Sequence, residues 1–259
     1  MGRLRHLLWL ACCLAPVMGQ VNTEAMRMEG LAAGLHGSLG GDFGLNRGNT
    51  TLLNLKTNLR LDHHSGWGHN FVVGQIGLLS SGTEEFTNQG FVHIRSVKTL
   101  GERYFAEGFL QQQFDRSILL DNRQLAGGGV RIKWLANDST AIGVLGLTSG
   151  FGLMWEREVT DSGQTVGGDP DTRLLRSTNY LVLNWAMADK LALSATTYFQ
   201  FDLKNFQDYR FLLEGRLRVT LTRRITLVVN LNLRYDSEPP VGVAQPLDLA
   251  LTNGLAFTL

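Results

Sequence analysis

From Leu31 onward the side chains alternate between apolar and polar with a period of two, not 3.6. In Leu191–Lys204 the odd positions carry Leu191, Leu193, Ala195, Thr197, Phe199, Phe201 and Leu203. The even positions carry Ala192, Ser194, Thr196, Tyr198, Gln200, Asp202 and Lys204. Successive side chains of an extended chain point to opposite faces, so this pattern describes a strand with one greasy face and one wet one. The same alternation sets Leu227, Val229, Leu231 and Leu233 against Asn230, Asn232 and Arg234, and Leu53, Leu55, Leu59 and Leu61 against Lys56, Asn58 and Arg60. It also sets Leu35, Leu39 and Phe43 against His36, Ser38 and Asp42.

Twelve such runs are expected: 31–46, 50–62, 69–80, 88–99, 103–115, 124–135, 140–156, 173–187, 190–204, 208–221, 224–236 and 246–259. The third and fourth alternate least cleanly. Most runs reach the roughly 9–11 residues that a tilted strand needs to cross a bilayer, where strands of soluble proteins average nearer about 5–6. Short connections are expected at 100–102, 136–139, 188–189 and 222–223, and long ones at 81–87, 116–123, 157–172 and 237–245. Short turns at one end and longer loops at the other are the habit of outer-membrane barrels. An even strand count puts both chain ends on the short-turn side. The hairpin around Arg47–Gly48 is short for its class, and the turn at 63–68 is long for its own.

Mid-strand charge decides which face meets lipid. The apolar faces are nearly free of it, whereas a Lys or Arg facing lipid at the midplane would cost about 2–4 kcal/mol. The charges fall on the opposite face, which nominates a lumen lined by Asp42, Lys56, Arg60, Arg95, Glu107, Arg131, Lys133, Glu214, Arg216, Arg218, Arg234 and Asp236. Aromatic residues gather at the ends of the apolar faces: Trp134, Trp185, Tyr104 and Phe257 near short turns, and Phe114, Trp155, Phe201, Tyr209 and Tyr235 near long loops. Two such belts match the two membrane interfaces. Closure into a barrel follows, because hydrocarbon leaves no partner for an unpaired strand edge. The expected fold is therefore all-β: an antiparallel transmembrane β-barrel of about twelve strands in an up-and-down meander.

The first residues read differently. Arg3 and Arg5 precede a short apolar run, Leu7–Met18, and Val17 and Gly19 are small enough to flank a cleavage site before Gln20. Residues 1–19 are expected to be a signal peptide, and 20–259 an outer-membrane β-barrel domain. A lipoprotein signal using Cys12 or Cys13 is the rival reading. Both cysteines of the chain lie in this leader, so no disulfide framework is expected. Beyond it no run is apolar and long enough for a transmembrane helix. A net charge of +1 gives no reason to expect nucleic acid as a partner, and 44% apolar residues exclude a disordered chain.

Three segments resemble a known family: GSLGGDFGLNRGNTTLLNLKTNLRL (37–61), RYFAEGFLQQQFDRSILLDNRQLAGGGVRIKW (103–134) and ITLVVNLNLRYDSEPPVGVAQPLDLALTNGLAFTL (225–259). They are similar to the YdiY-like salt-induced outer-membrane proteins, the domain of unknown function 481. The resemblance implies an outer-membrane β-barrel and brings no activity, substrate or catalytic residue. Such barrels commonly end on an aromatic residue that the assembly machinery reads. This chain ends on Leu259, with Phe257 two positions earlier.

Motifs that carry chemistry are sparse. His36 and Ser38 share a strand face, and folding the hairpin about Gly48 would set Asn58 opposite Ser38, but no oxyanion site accompanies them. His63, His64 and His69 lie in one turn without a fourth ligand or helical spacing, so no metal is expected. The Ala126–Val130 run lacks the Lys-Ser/Thr of a phosphate loop, and its glycines fit relief of crowding or bending inside a strand. Asn49–Thr51 and Asn137–Ser139 read as turn residues. No enzyme and no cofactor are expected. The expected partners are outer-membrane lipid, the barrel-assembly machinery and small solutes. The lumen charges suggest a narrow pore for small polar or anionic solutes. Two alternatives stand beside it: a non-conducting structural or interaction barrel, acting through loop 157–172, and a soluble periplasmic β-protein.

Overall fold

The computed structural model describes residues 21–24, 26–27, 32–48, 51–81, 84–160, 170–188, 190–239 and 245–257. The expected leader, 1–19, and the terminal Leu259 lie outside them. Twelve strands follow in chain order: β1 (Gly34–Asn46), β2 (Leu52–Ser65), β3 (Gly68–Ser81), β4 (Glu84–Thr99), β5 (Tyr104–Asp115), β6 (Leu120–Thr140), β7 (Gly143–Thr160), β8 (Asp171–Ala188), β9 (Leu191–Asp202), β10 (Tyr209–Thr220), β11 (Ile225–Asp236) and β12 (Leu247–Phe257). They form one sheet in sequence order, every neighbouring pair antiparallel. Among the described residues one 3-10 turn, Arg116–Ile118, breaks the pattern, its start capped by the Asp115 carboxylate accepting from the Ser117 N–H at 3.1 Å. No helix of the described residues is long and apolar enough to cross a membrane.

The register fixes which side chains share a face. Across β10 and β11, Leu213 faces Leu233 and Leu217 faces Val229, while Glu214 faces Asn232 and Arg216 faces Asn230. The apolar set points outward: Ile94, Leu110, Phe151, Leu153, Leu181 and Phe199 are exposed. The polar set points inward: Arg95, Arg131, Glu156, Arg176 and Asp202 are buried. This is the reverse of a water-soluble protein, where charged groups are almost never fully buried unless paired. It matches a transmembrane barrel, and it sets aside the soluble β-protein, whose leucines would be inside. Trp134, Tyr104 and Phe257 at the short-turn end and Trp155 at the other are exposed on the outer face.

Contacts across the interior demonstrate that the sheet wraps round. Met26, Arg27 and Asn22 alone reach Arg60 on β2, Glu107 on β5 and Glu214 on β10. Among the described residues no ladder joins β1 to β12, and the seam of the barrel lies between them.

Several connections differ from the sequence reading. The 63–68 turn is short after all, because β2 runs to Ser65 and β3 starts at Gly68. The long connection expected at 81–87 shrinks to 82–83, since Ser80 pairs with Glu85 and Ser81 with Glu84. The turn expected at 136–139 lies inside β6, which continues to Thr140, and the chain turns at 141–142 instead. The 157–172 loop contracts to 161–170 because β7 and β8 extend toward each other. Hairpin β1–β2 pairs Ser38 with Arg60 and Gly40 with Asn58, two positions from the expected register, because the loop centres on residue 49 rather than 48.

Candidate functional site

The interior is the candidate site, and it has three levels. At the loop end, β6, β7, β8 and β10 each send long charged side chains inward, and these close on one another. Arg210 reaches Glu156 at 2.9 Å, Glu158 at 3.1 Å and Asp236 at 2.8 Å. Arg176 reaches Glu156 at 3.1 Å and Asp208 at 2.7 Å, and Arg123 reaches Glu158 at 2.7 Å. Apart from Asp236, these side chains are nearly sealed from solvent. Below them a pocket of only about 50 Å³ remains between Val21, His93, Phe109, Gln111 and Met154, room for a water or two.

The middle level is filled by chain that precedes β1. Residues Val21–Glu24 and Met26–Arg27 lie in the lumen. Val21 packs on Phe71, Val73 and Phe91, inward-facing residues of β3 and β4, with Met26 beside them. Asn22 donates to Glu214 at 2.9 Å, and Thr23 accepts from Arg95 at 2.7 Å. The Glu24 N–H donates to the Tyr198 hydroxyl at 3.1 Å. The Glu24 carboxylate is fully sealed from solvent and ion-paired with Arg27, Arg95 and Arg131. Arg27 also reaches Glu107 at 2.6 Å, and Glu107 accepts from the Tyr180 hydroxyl at 2.7 Å. Arg60 donates to the Met26 carbonyl. Burial pushes the Glu24 carboxyl up, but the Arg27, Arg95 and Arg131 guanidiniums outweigh it and hold the group at about 2.

Tyr180 fits beside this cluster because β7 leaves room for it. A side-chain carbon at Gly150 would sit 2.1 Å from the Tyr180 ring, and one at Gly129, within the glycine run of β6, would sit 2.2 Å from the Phe151 carbonyl. The glycines thus relieve crowding, as the sequence reading expects.

At the short-turn end the lumen opens into a cavity of about 900 Å³. Its charged lining comprises five basic residues, Arg27, Arg131, Lys133, Arg216 and Arg234, and three acids, Glu24, Glu214 and Asp248. Arg234 pairs with Glu214 at 3.3 Å, and Arg216 donates to Asn230 at 2.8 Å.

The nominated lumen residues are distributed over these levels. Arg60, Arg95, Glu107 and Arg131 hold the inner segment, and Lys133, Glu214, Arg216 and Arg234 line the cavity. Asp236 belongs to the loop-end network. Arg218 is exposed near the short-turn rim, and Asp42 faces Lys56 across β1 and β2. Sequence reasoning missed four members of the loop-end network: Arg123 and Glu158, which it left outside the strands, and Glu156 and Asp208, which it placed at strand ends without nominating them. It also missed the segment 21–27, whose only signal is a Glu and an Arg in the short stretch between leader and first strand. The histidines regroup as well: His63 is exposed on the outer face, while Asp62, His64 and His69 bring their ligand atoms within 4.8 Å of one another.

Among solved structures the chain is similar to the NanC porin in its rhombohedral crystal form, with 13% identity and a TM-score of 0.45 over 85% of this chain and 98% of that one. No curated protein matches the chain. The family model described as "Protein of unknown function, DUF481" matches residues 38–259, and the chain belongs to that family.

Proposed function

We propose that this is an outer-membrane barrel forming a narrow pore for small anionic solutes, held closed by its own residues 21–27. The observation that carries the reading is how the inner segment is held: Glu24, Arg27 and Asn22 are fixed to the wall by ion pairs and hydrogen bonds. Water and solute ions can replace these polar contacts group for group once the segment withdraws, while the packing of Val21 and Met26 on Phe71, Val73 and Phe91 is lost without replacement. The excess of two basic residues in the cavity below supports an anion preference, since rings of Arg and Lys favour anions. Outer-membrane lipid, the barrel-assembly machinery and the solute are its partners, and no enzymatic step or cofactor enters.

A second reading, a non-conducting structural barrel, draws on the sealed network around Arg210. Single-channel recording in planar bilayers separates the two. The pore reading expects rare openings from the intact protein, frequent ones after deletion of residues 20–27, and a shift toward cation selectivity in Arg216→Glu/Arg218→Glu. A deletion variant that inserts and remains silent supports the structural barrel instead.

A further inference from the structure

We propose that Asp62, His64 and His69 form a binding site for one borderline divalent transition-metal ion, of the Zn²⁺ class, at the short-turn mouth of the barrel. Hairpin β2–β3 builds it. His64 and His69 are directly paired across the ladder, and Asp62 lies two residues back on the same inward face. The two imidazoles stack with centroids 3.8 Å apart and planes 24° from parallel. Their ligand atoms and a carboxylate oxygen of Asp62 lie within 4.8 Å of one another. Tetrahedral coordination at bond lengths of about 2.0–2.1 Å sets donor atoms about 3.4 Å apart, so small side-chain rotations complete the site.

Two further observations point to a ligand rather than to a bare ion pair. The His64 Nε2 is shielded from solvent and has no hydrogen-bond partner among the described residues, a costly state for a buried polar atom. Asp62 is already oriented from behind, its two oxygens accepting from Arg60 at 2.6 and 2.7 Å. That is the outer-shell support metal-binding carboxylates usually have. The Arg60 contact leaves lone pairs on the oxygen that His69 Nε2 approaches at 2.9 Å. A metal ion there takes the place of the proton these two atoms share.

Access comes from a cavity of about 290 Å³ at the mouth, lined by His64, His69, Arg27 and Lys133. The fourth position falls to water or to His36, which faces Asp62 across β1 and whose ring lies 6.4 Å from that of His64. Two imidazoles and one carboxylate select Zn²⁺, Co²⁺, Ni²⁺ or Cu²⁺ over Mg²⁺ and Ca²⁺, which prefer all-oxygen sites. The surrounding Arg27 and Lys133 disfavour a cation, so the site depends on its nitrogen ligands rather than on net negative charge.

The test is calorimetric titration of the full chain, folded in detergent without a polyhistidine tag, with Zn²⁺. One ion per chain is expected, with affinity weakened at least about tenfold in His64→Asn and in His69→Asn and unchanged in His63→Asn, whose side chain faces outward. The wild-type protein loaded with Co²⁺ should display the visible bands of tetrahedral coordination, whatever the fate of the variants. Absence of both binding and bands overturns the assignment. So does binding that survives in folded His64→Asn and His69→Asn protein, or equal competition by Mg²⁺.

Discussion

Glu24 is a carboxylate with no solvent in a lumen, and it stays charged because three guanidiniums surround it. Breaking a buried ion pair by removing one partner costs about 3–5 kcal/mol, because the charges left behind remain unscreened. Glu24→Gln removes the charge that Arg27, Arg95 and Arg131 share, and leaves Arg95 with Glu107 at 3.6 Å. The expected result is release of residues 21–27 from the lumen while the strands stay paired. Hydrogen exchange would report it as lost protection at the Glu24 amide with protection of β5 and β6 retained. The pH dependence has a definite sign. The folded-state pKa of about 2 lies below the ordinary 4.5, so the stabilisation is complete above about 4.5 and is lost as pH falls through about 2. Protection of that amide should therefore hold at neutral pH and decline only in acid. Neither the inner segment nor its pairing was legible in the sequence, because a Glu and an Arg ahead of the first strand have no period to betray them.

At the scale of elements, the fold was legible where a strand meets lipid on one side and polar lumen on the other. β9, β10 and β11 are of that kind, and their register sets Leu217 between Leu193 and Val229 and Arg216 between Ser194 and Asn230. β3 and β4 alternate weakly for a physical reason: Phe71, Val73 and Phe91 face inward against Val21, so both faces are apolar. The blurred pattern was the footprint of the inner segment. β6 failed in another way. Asn137–Asp138–Ser139 has turn chemistry, yet the strand absorbs it with register shifts at Lys133/Leu135 and Ala136/Asp138. Asn137 takes φ 62° as the bulged residue. That conformation costs most side chains about 1–2 kcal/mol, and glycine nothing. Asn137→Val should lower unfolding stability in lipid vesicles by about that amount, with Asn137→Gly close to the parent. Equal losses for both would mean that the Asn side chain, not its backbone, matters. Two missed members of the loop-end network have a similar cause: β6 and β7 continue past the ends the sequence reading assigned, so Arg123 and Glu158 read as loop where charge is dense.

For the whole molecule the defining property is inversion: charge inside and sealed, leucine outside and exposed. Along the lumen lie the Arg210 network near the loops, then residues 21–24 and 26–27, then a cavity open toward the short turns. All of this requires hydrocarbon around the barrel, since the exposed apolar faces have no other stable solvent. Adjacent residues of β10 put that requirement to the test, because Arg216 lines the cavity and Leu217 faces Val229 on the outer face. Nitroxide labels are placed at each position in turn, in protein reconstituted into lipid vesicles, and their collision rates are measured with oxygen and with a water-soluble paramagnetic reagent. The account expects the label at Leu217 to meet oxygen and not the aqueous reagent, and the label at Arg216 to do the reverse. A label at Leu217 that meets the aqueous reagent, or is shielded from both, would contradict it.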